Sequence, residues 1–226
     1  MCPADSFRGV VVIPDSFPGY SPDEFCLLPR YRPFIEGILV PNGLVKDRLK
    51  KLALDILDTL DRMGSTSLTL VCVLKGGFKF ASDLSENLES VIHNTSRQIS
   101  IHIEFIIAST YVNDDVAHDT DIKVCTNPSK FHDKDLLILE DLTDTGTTLR
   151  SLTTYLQKLS PRSIQVASLL VKRRPDCLPF KPDYVGFEVP NRFIVGYAID
   201  YNDQFRELPH VCVVNEVGKK EFAVEK

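Results

Sequence analysis

The stretch Leu136 to Leu152, Leu-Leu-Ile-Leu-Glu-Asp-Leu-Thr-Asp-Thr-Gly-Thr-Thr-Leu-Arg-Ser-Leu, constrains the fold more than any other part of the chain. Four consecutive aliphatics are the pattern of a strand buried on both faces, and they stop at the paired acids Glu140 and Asp141. Thr143 to Thr147 are small and mostly hydroxylated, with Gly146 allowing a tight turn. Leu149, Leu152 and Leu156 then recur at helical spacing, so a helix begins at Gly146 to Thr148. Free N–H groups and hydroxyls at a helix start make a seat for a phosphate. The two fixed acids beside it suit the adjacent hydroxyls of a sugar, or a magnesium ion. Each residue also has a plain reading, since Asp and Thr cap helices and acids at strand ends are commonly just solvated. The whole string points to phosphate plus a ribose diol.

Two phosphate-binding folds are excluded by absence. A hydrophobic strand ending in acids also occurs in P-loop nucleotide hydrolases, but the chain has no Gly-x-x-x-x-Gly-Lys-[Ser/Thr] loop. It has no Gly-x-Gly-x-x-Gly dinucleotide fingerprint either.

Around this stretch the rest of the 226-residue sequence alternates strand and helix patterns. Val10 to Ile13 is a short strand-like run, followed by a Pro-, Gly- and aromatic-rich arm that ends near Pro41 and caps the main sheet. Val45, Leu49, Leu52, Ile56, Leu57 and Leu60 define an amphipathic helix, with Asn42 as its cap and Gly64 as its stop. Leu68 to Leu74 is an apolar run that ends in Lys75-Gly76-Gly77, before a helix through Phe78, Ala81, Leu84, Leu88 and Val91. Ile99, Ile101, Ile103, Phe105 and Ile107 alternate as a half-buried strand does. Residues 108–134 lack periodicity and read as a long loop of the kind that forms a mobile active-site lid. Ile164 to Val171 is another buried strand, running into Lys172-Arg173-Arg174; Tyr184 to Val189, Phe193 to Ile199 and Val211 to Val214 follow as strands.

Strand-helix-strand repeats imply an α/β fold: a mostly parallel twisted sheet with helices on both faces. Ligands bind beyond the C-terminal strand ends of such sheets, and Lys75, Glu140, Asp141, Lys172 and Asp200 are placed there. The net charge of −5 argues against nucleic acid as a partner, although Lys172, Arg173 and Arg174 offer a local anion site. Six cysteines without a Cys-x-x-Cys pair suit neither a zinc site nor a disulfide scaffold. No leader pattern and no apolar run near the ~20 residues of a membrane span occur, so the expectation is a cytoplasmic protein with no membrane partner.

With these residues in place the chain resembles the hypoxanthine-guanine phosphoribosyltransferases, of the type I phosphoribosyltransferase family, from about Val10 to Gly218. The matching motifs are Pro-Asn-Gly at 41 to 43, Leu-Lys-Gly-Gly at 74 to 77, Glu140-Asp141 with Asp144-Thr145-Gly146, Val-Lys-Arg at 171 to 173, and Gly-Tyr-Ala-Ile-Asp-Tyr-Asn at 196 to 202.

The resemblance implies a single domain over residues 1–226, with a small hood formed by the arm, residues 1–41, and the C-terminal segment. It implies transfer of phosphoribosyl from phosphoribosyl pyrophosphate to N9 of a 6-oxopurine base, hypoxanthine or guanine, giving IMP or GMP and pyrophosphate in purine salvage. Mg2+ is the implied cofactor and a homodimer or homotetramer the implied assembly. Use of xanthine as well, and a weakly active or non-catalytic nucleotide-binding paralogue, are the alternatives.

It also implies roles. Glu140 and Asp141 would grip the ribose hydroxyls and stabilise positive charge on the sugar. Asp144 would be the general base at the purine imidazole, although a helix cap is its simpler reading. Leu142, Thr143, Thr145, Gly146, Thr147 and Thr148 would complete the phosphate and ribose seat. Lys172 would donate to purine O6, as a cation can to a carbonyl but not to the amino group of adenine. Phe193 would stack on the base, Ile194 would meet its 2-position through its carbonyl, and Arg192 and Asp200 would line the same pocket. Asp200, with Glu140 and Asp141, would hold magnesium. Arg206 and the Lys75-Gly76 peptide, cis in the family, would take pyrophosphate. Ser109, Thr110 and Tyr111 would be the lid's contact residues. The chain departs from the family's pattern at Ser109 and Thr147, where lysines are common, and at Asp176, where arginine is common.

Overall fold

The structure is a computed structural model that describes residues 9–111, 119–174 and 180–224. Its seven-stranded sheet has the order β1-β8-β7-β6-β3-β4-β5. The strands are β1 (Val11–Val12), β3 (Ser67–Leu74), β4 (Ser100–Tyr111), β5 (Asp119–Val124), β6 (Asp135–Thr143), β7 (Ser163–Lys172) and β8 (Tyr184–Val189). All neighbours pair in parallel except β5, which returns antiparallel to β4. A second sheet, antiparallel and three-stranded, combines β2 (Ile35–Val40), β10 (Val211–Val214) and β9 (Ile194–Val195) into a hood. The mostly parallel sheet flanked by helices is the architecture that the strand-helix alternation implies.

Period-two sorting builds two cores from the same strands. Leu70 and Cys72 of β3 and Leu137 and Leu139 of β6 face α1 (Asn42–Met63) and α2 (Gly77–His93). Val71, Val73, Leu136 and Ile138 face the other way, onto Leu149, Leu152 and Leu156 of α3 (Thr147–Gln157). Burial on both faces explains why β6 reads as an unbroken aliphatic run. A short α4 (Glu216–Glu221) closes the hood, where Tyr31, Phe205 and Phe222 stack.

Several expectations are corrected. Pro41, not Asn42, caps α1; Asn42 is its first residue and donates to Pro209 O and His210 Nδ1 across the hood. Gly64, at φ 64°, ends the helix as its sequence position predicts. The alternating face of β4 is half-buried as its pattern predicts, with Ile101 and Phe105 packed against the α1/α2 core and Ile103 and Ile107 exposed, while Ile106 on the opposite face is fully buried in the α3-side core. Residues 108–134 are not a featureless loop, because β5 pairs along the end of β4 and Phe131, in a 3-10 turn at Pro128–Phe131, is fully buried. The middle of the expected lid, residues 112–118, lies outside the described residues, as does the Asp176 departure. Only Ile194–Val195 of the Phe193-to-Ile199 run is strand, since Gly196, Tyr197 and Ala198 take positive φ and turn the chain away.

Candidate active site

β6 carries the two acids, but it runs on through Thr143 rather than stopping at them. The backbone then turns through Asp144 and Thr145 to Gly146, whose φ of 80° is left-handed, and α3 starts at Thr147. Around this turn lies a cavity of about 100 Å³ lined by Glu140, Leu142, Thr143, Asp144, Thr145, Gly146, Thr148 and Leu149. A helix start beside a small hollow lined by hydroxyls suits a phosphate. Thr147 and Asp141 of the predicted set do not line it. Thr147 pairs its hydroxyl with Thr145 at 3.0 Å, and the buried Thr143 hydroxyl points inward to Ser168 at 2.8 Å.

Glu140 is buried and Asp141 half-buried, and both carboxyls are held above the usual carboxylate range. Burial first, then the charge of Asp141, pushes the Glu140 carboxyl well above the usual carboxylate range. Glu140 Oε2 is buried and has no protein partner. Burial also raises Asp141, offset by hydrogen bonds, including one from its neighbour's amide, Leu142 N, at 2.8 Å, and by the charge of Arg206. Burial and the same two charges push the Cys72 thiol beneath them up to about 12, so it is an inert core residue rather than a nucleophile.

The loop after β3 reaches this pair. A Cβ built on Gly76 would fall 1.8 Å from Asp141 Oδ2, so only glycine lets the loop lie against the acid. The cis peptide is Leu74–Lys75, one bond earlier than the expected Lys75-Gly76.

Lys172, the last residue of β7, points its ammonium at Asp144 Oδ2, 3.4 Å away. Arg174 donates to Asp144 Oδ1 at 2.8 Å. Arg173 is spent elsewhere, on Asp15, Glu188 and the carbonyl of Ile13, where it fastens β1 to the sheet edge. The expected basic patch is therefore a set of ion pairs rather than an open anion site.

The hood supplies the remaining groups. Phe193 is partly exposed, edge-on to Tyr201 at 4.9 Å, and Ile194 is buried in β9 opposite Val213. Arg192 is not brought to the site by its side chain; it pairs with Glu36 and donates to the Pro18 carbonyl, tying the hood to the arm. Asp200 comes from the loop after β9, not from a strand exit of the main sheet, and pairs with Arg206 at 2.8 Å. Arg206 also donates to Ala198 O at 2.8 Å and to Asp203 at 3.0 Å, and Lys75 reaches the same Asp203 oxygen at 3.2 Å. Asp203 is the member that sequence reasoning missed, and Arg174 was read only as part of a basic cluster, not as a partner of Asp144. Their only signal was position, three residues before Arg206 and two after Lys172.

A larger groove of about 420 Å³ runs beside α3 past Thr153, Arg162, Phe180 and Asp183. Its arginine is committed to Asp135, and it gathers none of the acid-and-cation pairs seen at the strand ends.

The phosphoribosyl transferase domain model matches residues 37–202. The chain belongs to the phosphoribosyltransferase family. Hypoxanthine-guanine phosphoribosyltransferase of Schistosoma mansoni is 49% identical over 214 residues, covering 95% of this chain and 75% of that one. Phosphoribosyltransferase domain-containing protein 1 of Xenopus tropicalis is 42% identical, covering 95% of this chain and 94% of its own. The crystal structure of the Schistosoma mansoni hypoxanthine-guanine enzyme in complex with IMP superposes with a TM-score of 0.82 at 45% identity, over 95% of this chain and 99% of the other. This phosphoribosyltransferase thus shares its hood and sheet with a nucleotide-bound relative.

The expected magnesium set of Asp200, Glu140 and Asp141 is not a preformed cage, for no group of three or more acidic, histidine or cysteine side chains converges among the described residues. Magnesium keeps most of its shell as water or substrate oxygen and takes one or two carboxylates. The unpartnered Glu140 Oε2 and the surface carboxylate of Asp200 fit that sparser role.

Proposed function

We propose that this phosphoribosyltransferase joins phosphoribosyl pyrophosphate to N9 of hypoxanthine or guanine, giving IMP or GMP and pyrophosphate. The observation that carries the reading is the pair of Asp144 and Lys172 beyond the ends of β6 and β7, with Asp144 lining the small cavity at the start of α3. A base and a cation 3.4 Å apart match the two ends of a 6-oxopurine edge, a proton to be removed and a carbonyl to be met.

In the reaction the bond from C1′ to the pyrophosphate oxygen breaks and the C1′–N9 bond forms. The proton displaced from the purine imidazole goes to Asp144. Glu140 and Asp141 hold the ribose hydroxyls and face the charge that builds on the sugar. Thr145 to Thr148 take the 5′-phosphate at the start of α3. Lys75, the Gly76 peptide and Arg206 take the departing pyrophosphate, with Phe193 and Ile194 against the base. Asp200 and the acid pair would hold magnesium, which would supply neutralising charge for that pyrophosphate.

Supporting features place the protein in a wider setting. Cys26, Cys72, Cys125 and Cys212 are unpaired thiols, in keeping with a reducing cytoplasm. No described helix is long and apolar enough to cross a membrane. The exposed Ile103 and Ile107 on β4 offer the kind of surface that subunits of a homodimer or homotetramer cover.

The test is a spectrophotometric assay with hypoxanthine, guanine, xanthine and adenine, run on the wild type and on Asp144→Asn. We expect turnover with the 6-oxopurines, none with adenine, and a roughly 100- to 10,000-fold fall in turnover for Asp144→Asn with donor binding kept. Wild-type turnover in folded Asp144→Asn would remove Asp144 from its role. Donor binding without turnover in the wild type would establish the non-catalytic paralogue instead.

A further inference from the structure

The loop from Gly196 to Arg206 is held in a backbone that side chains rarely adopt. Tyr197, Ala198, Asn202, Asp203 and Phe205 have φ of 53°, 74°, 51°, 61° and 71°. Clusters of this kind persist only where surrounding contacts over-determine them, and they gather at ligand sites. Here the contacts are visible. Tyr197 is fully buried and its hydroxyl donates to Asp83 Oδ2 at 2.5 Å, pinning the loop to α2. Asp203 is fixed from its own backbone, which donates to Asp200 Oδ2 at 2.8 Å.

So fixed, Asp203 presents a single carboxylate oxygen to two cations, Lys75 at 3.2 Å and Arg206 at 3.0 Å. A carboxylate and a phosphate oxygen satisfy an ammonium or a guanidinium in the same way. We propose that Asp203 is a resident counter-anion of the pyrophosphate seat, occupying Lys75 and Arg206 until pyrophosphate displaces it and recapturing them when pyrophosphate leaves. This rests on the assignment of Lys75 and Arg206 to pyrophosphate. Asp203 acts through the two cations and not on the reacting atoms.

Such an anion could help by holding the cations in place or hinder by competing for them, and the two have opposite signs. Competition wins in this geometry. Arg206 has independent anchors in Asp200 and Ala198 O, both at 2.8 Å, and does not depend on Asp203 for its position. Both Lys75 and Asp203 are largely exposed, so their pairing is weak and readily exchanged. A multiply charged pyrophosphate entering beside it meets an uncompensated like charge.

Asp203→Asn is the test, because asparagine keeps the shape and tolerates the left-handed backbone. At fixed magnesium, inhibition by inorganic pyrophosphate and the KM for the donor should both tighten about three- to tenfold, as expected of weak exposed pairs. The KM for the purine and the Tm should not move. Lys75→Met and Arg206→Met, measured alongside, should weaken pyrophosphate binding. If they do and Asp203→Asn leaves pyrophosphate binding unchanged or weaker, the counter-anion role is overturned and the site assignment stands. If they do not, the assignment itself fails and the proposal falls with it.

Discussion

Replacing Lys172 with methionine separates recognition of the base from every other part of the site. The ammonium is nearly buried, with 12% of its side chain exposed, and its partner Asp144 is held independently through Oδ1 by Arg174. Lys172→Met should therefore leave the general base in place. The pair it breaks is long, 3.4 Å, and Asp144 is 44% exposed, so after solvent screening it contributes about 1 kcal/mol or less to folding. Methionine fills nearly the same apolar path along β7, which keeps Tm close to that of the wild type. Binding of the purine O6 is another matter, since a hydrogen bond from a charged group in a dry site is worth about 1.5 to 3 kcal/mol. At 1.36 kcal/mol per tenfold, kcat/KM for hypoxanthine and guanine should fall about 10- to 150-fold. The KM for phosphoribosyl pyrophosphate at saturating base should not change. Steady-state kinetics with each substrate varied in turn measures both numbers. Equal losses for donor and base, or no loss for the base, would refute the placement of Lys172 at O6.

Gly76→Ala forces a methyl into Asp141, which is short and walled in, so the loop must move; we expect a cost of about 1 to 3 kcal/mol in stability and a large loss of pyrophosphate affinity. Calorimetry and pyrophosphate inhibition check it, and unchanged inhibition would show that the loop does not need its contact with Asp141. For Glu140→Gln the sign follows from a carboxyl whose folded pKa is raised by burial and by Asp141. The native state holds that proton more tightly than the unfolded chain, so the stability it contributes is complete below the unfolded pKa of about 4.3 and is lost as pH rises toward the folded value. Glutamine never ionises, and thermal unfolding should show the variant matching the wild type near pH 4 and exceeding it increasingly toward neutral pH. Activity should fall in step with the lost grip on the ribose. A stability gap that does not widen with pH would contradict the raised pKa.

What the sequence made legible was whatever depends on local spacing. The aliphatic run before Glu140, the leucines after Gly146 and the Val45-to-Leu60 stripe each fix an element, because burial on one or two faces writes a period into the chain. β4 shows where that fails. Its alternation correctly marks a half-buried strand, with Ile101 and Phe105 on the α1/α2 core, but it does not show that α3 and Phe131 also cover the opposite face, where Ile106 is buried while Ile103 and Ile107 stay exposed. β5 was missed because Asp-Thr-Asp-Ile-Lys-Val has little strand propensity of its own and is held by pairing with β4. Arg192 looked like a site residue from its neighbours, yet its long side chain turns to Glu36, a partner 156 positions away.

The same limit governs the charges at the site. Sequence gives Lys75, Asp144, Lys172, Asp200 and Arg206 as separate candidates, but only the fold shows that each is neutralised by another protein group. Lys172 and Arg174 sit on Asp144, Arg206 on Asp200, and Lys75 with Arg206 on Asp203. Mutual pairing keeps the groups converged, and for the more buried Lys172 it lowers the cost of holding a charge out of water. Under the proposed roles, binding would be an exchange of partners: a purine carbonyl for a carboxylate at Lys172, a pyrophosphate oxygen for Asp203 at Lys75. Glu140 Oε2 stands outside these ion pairs, buried without a hydrogen-bond partner in a residue that lines the small cavity. An unsatisfied buried oxygen is tolerated where a ligand will complete it, and a ribose hydroxyl is a donor of the right kind to do so.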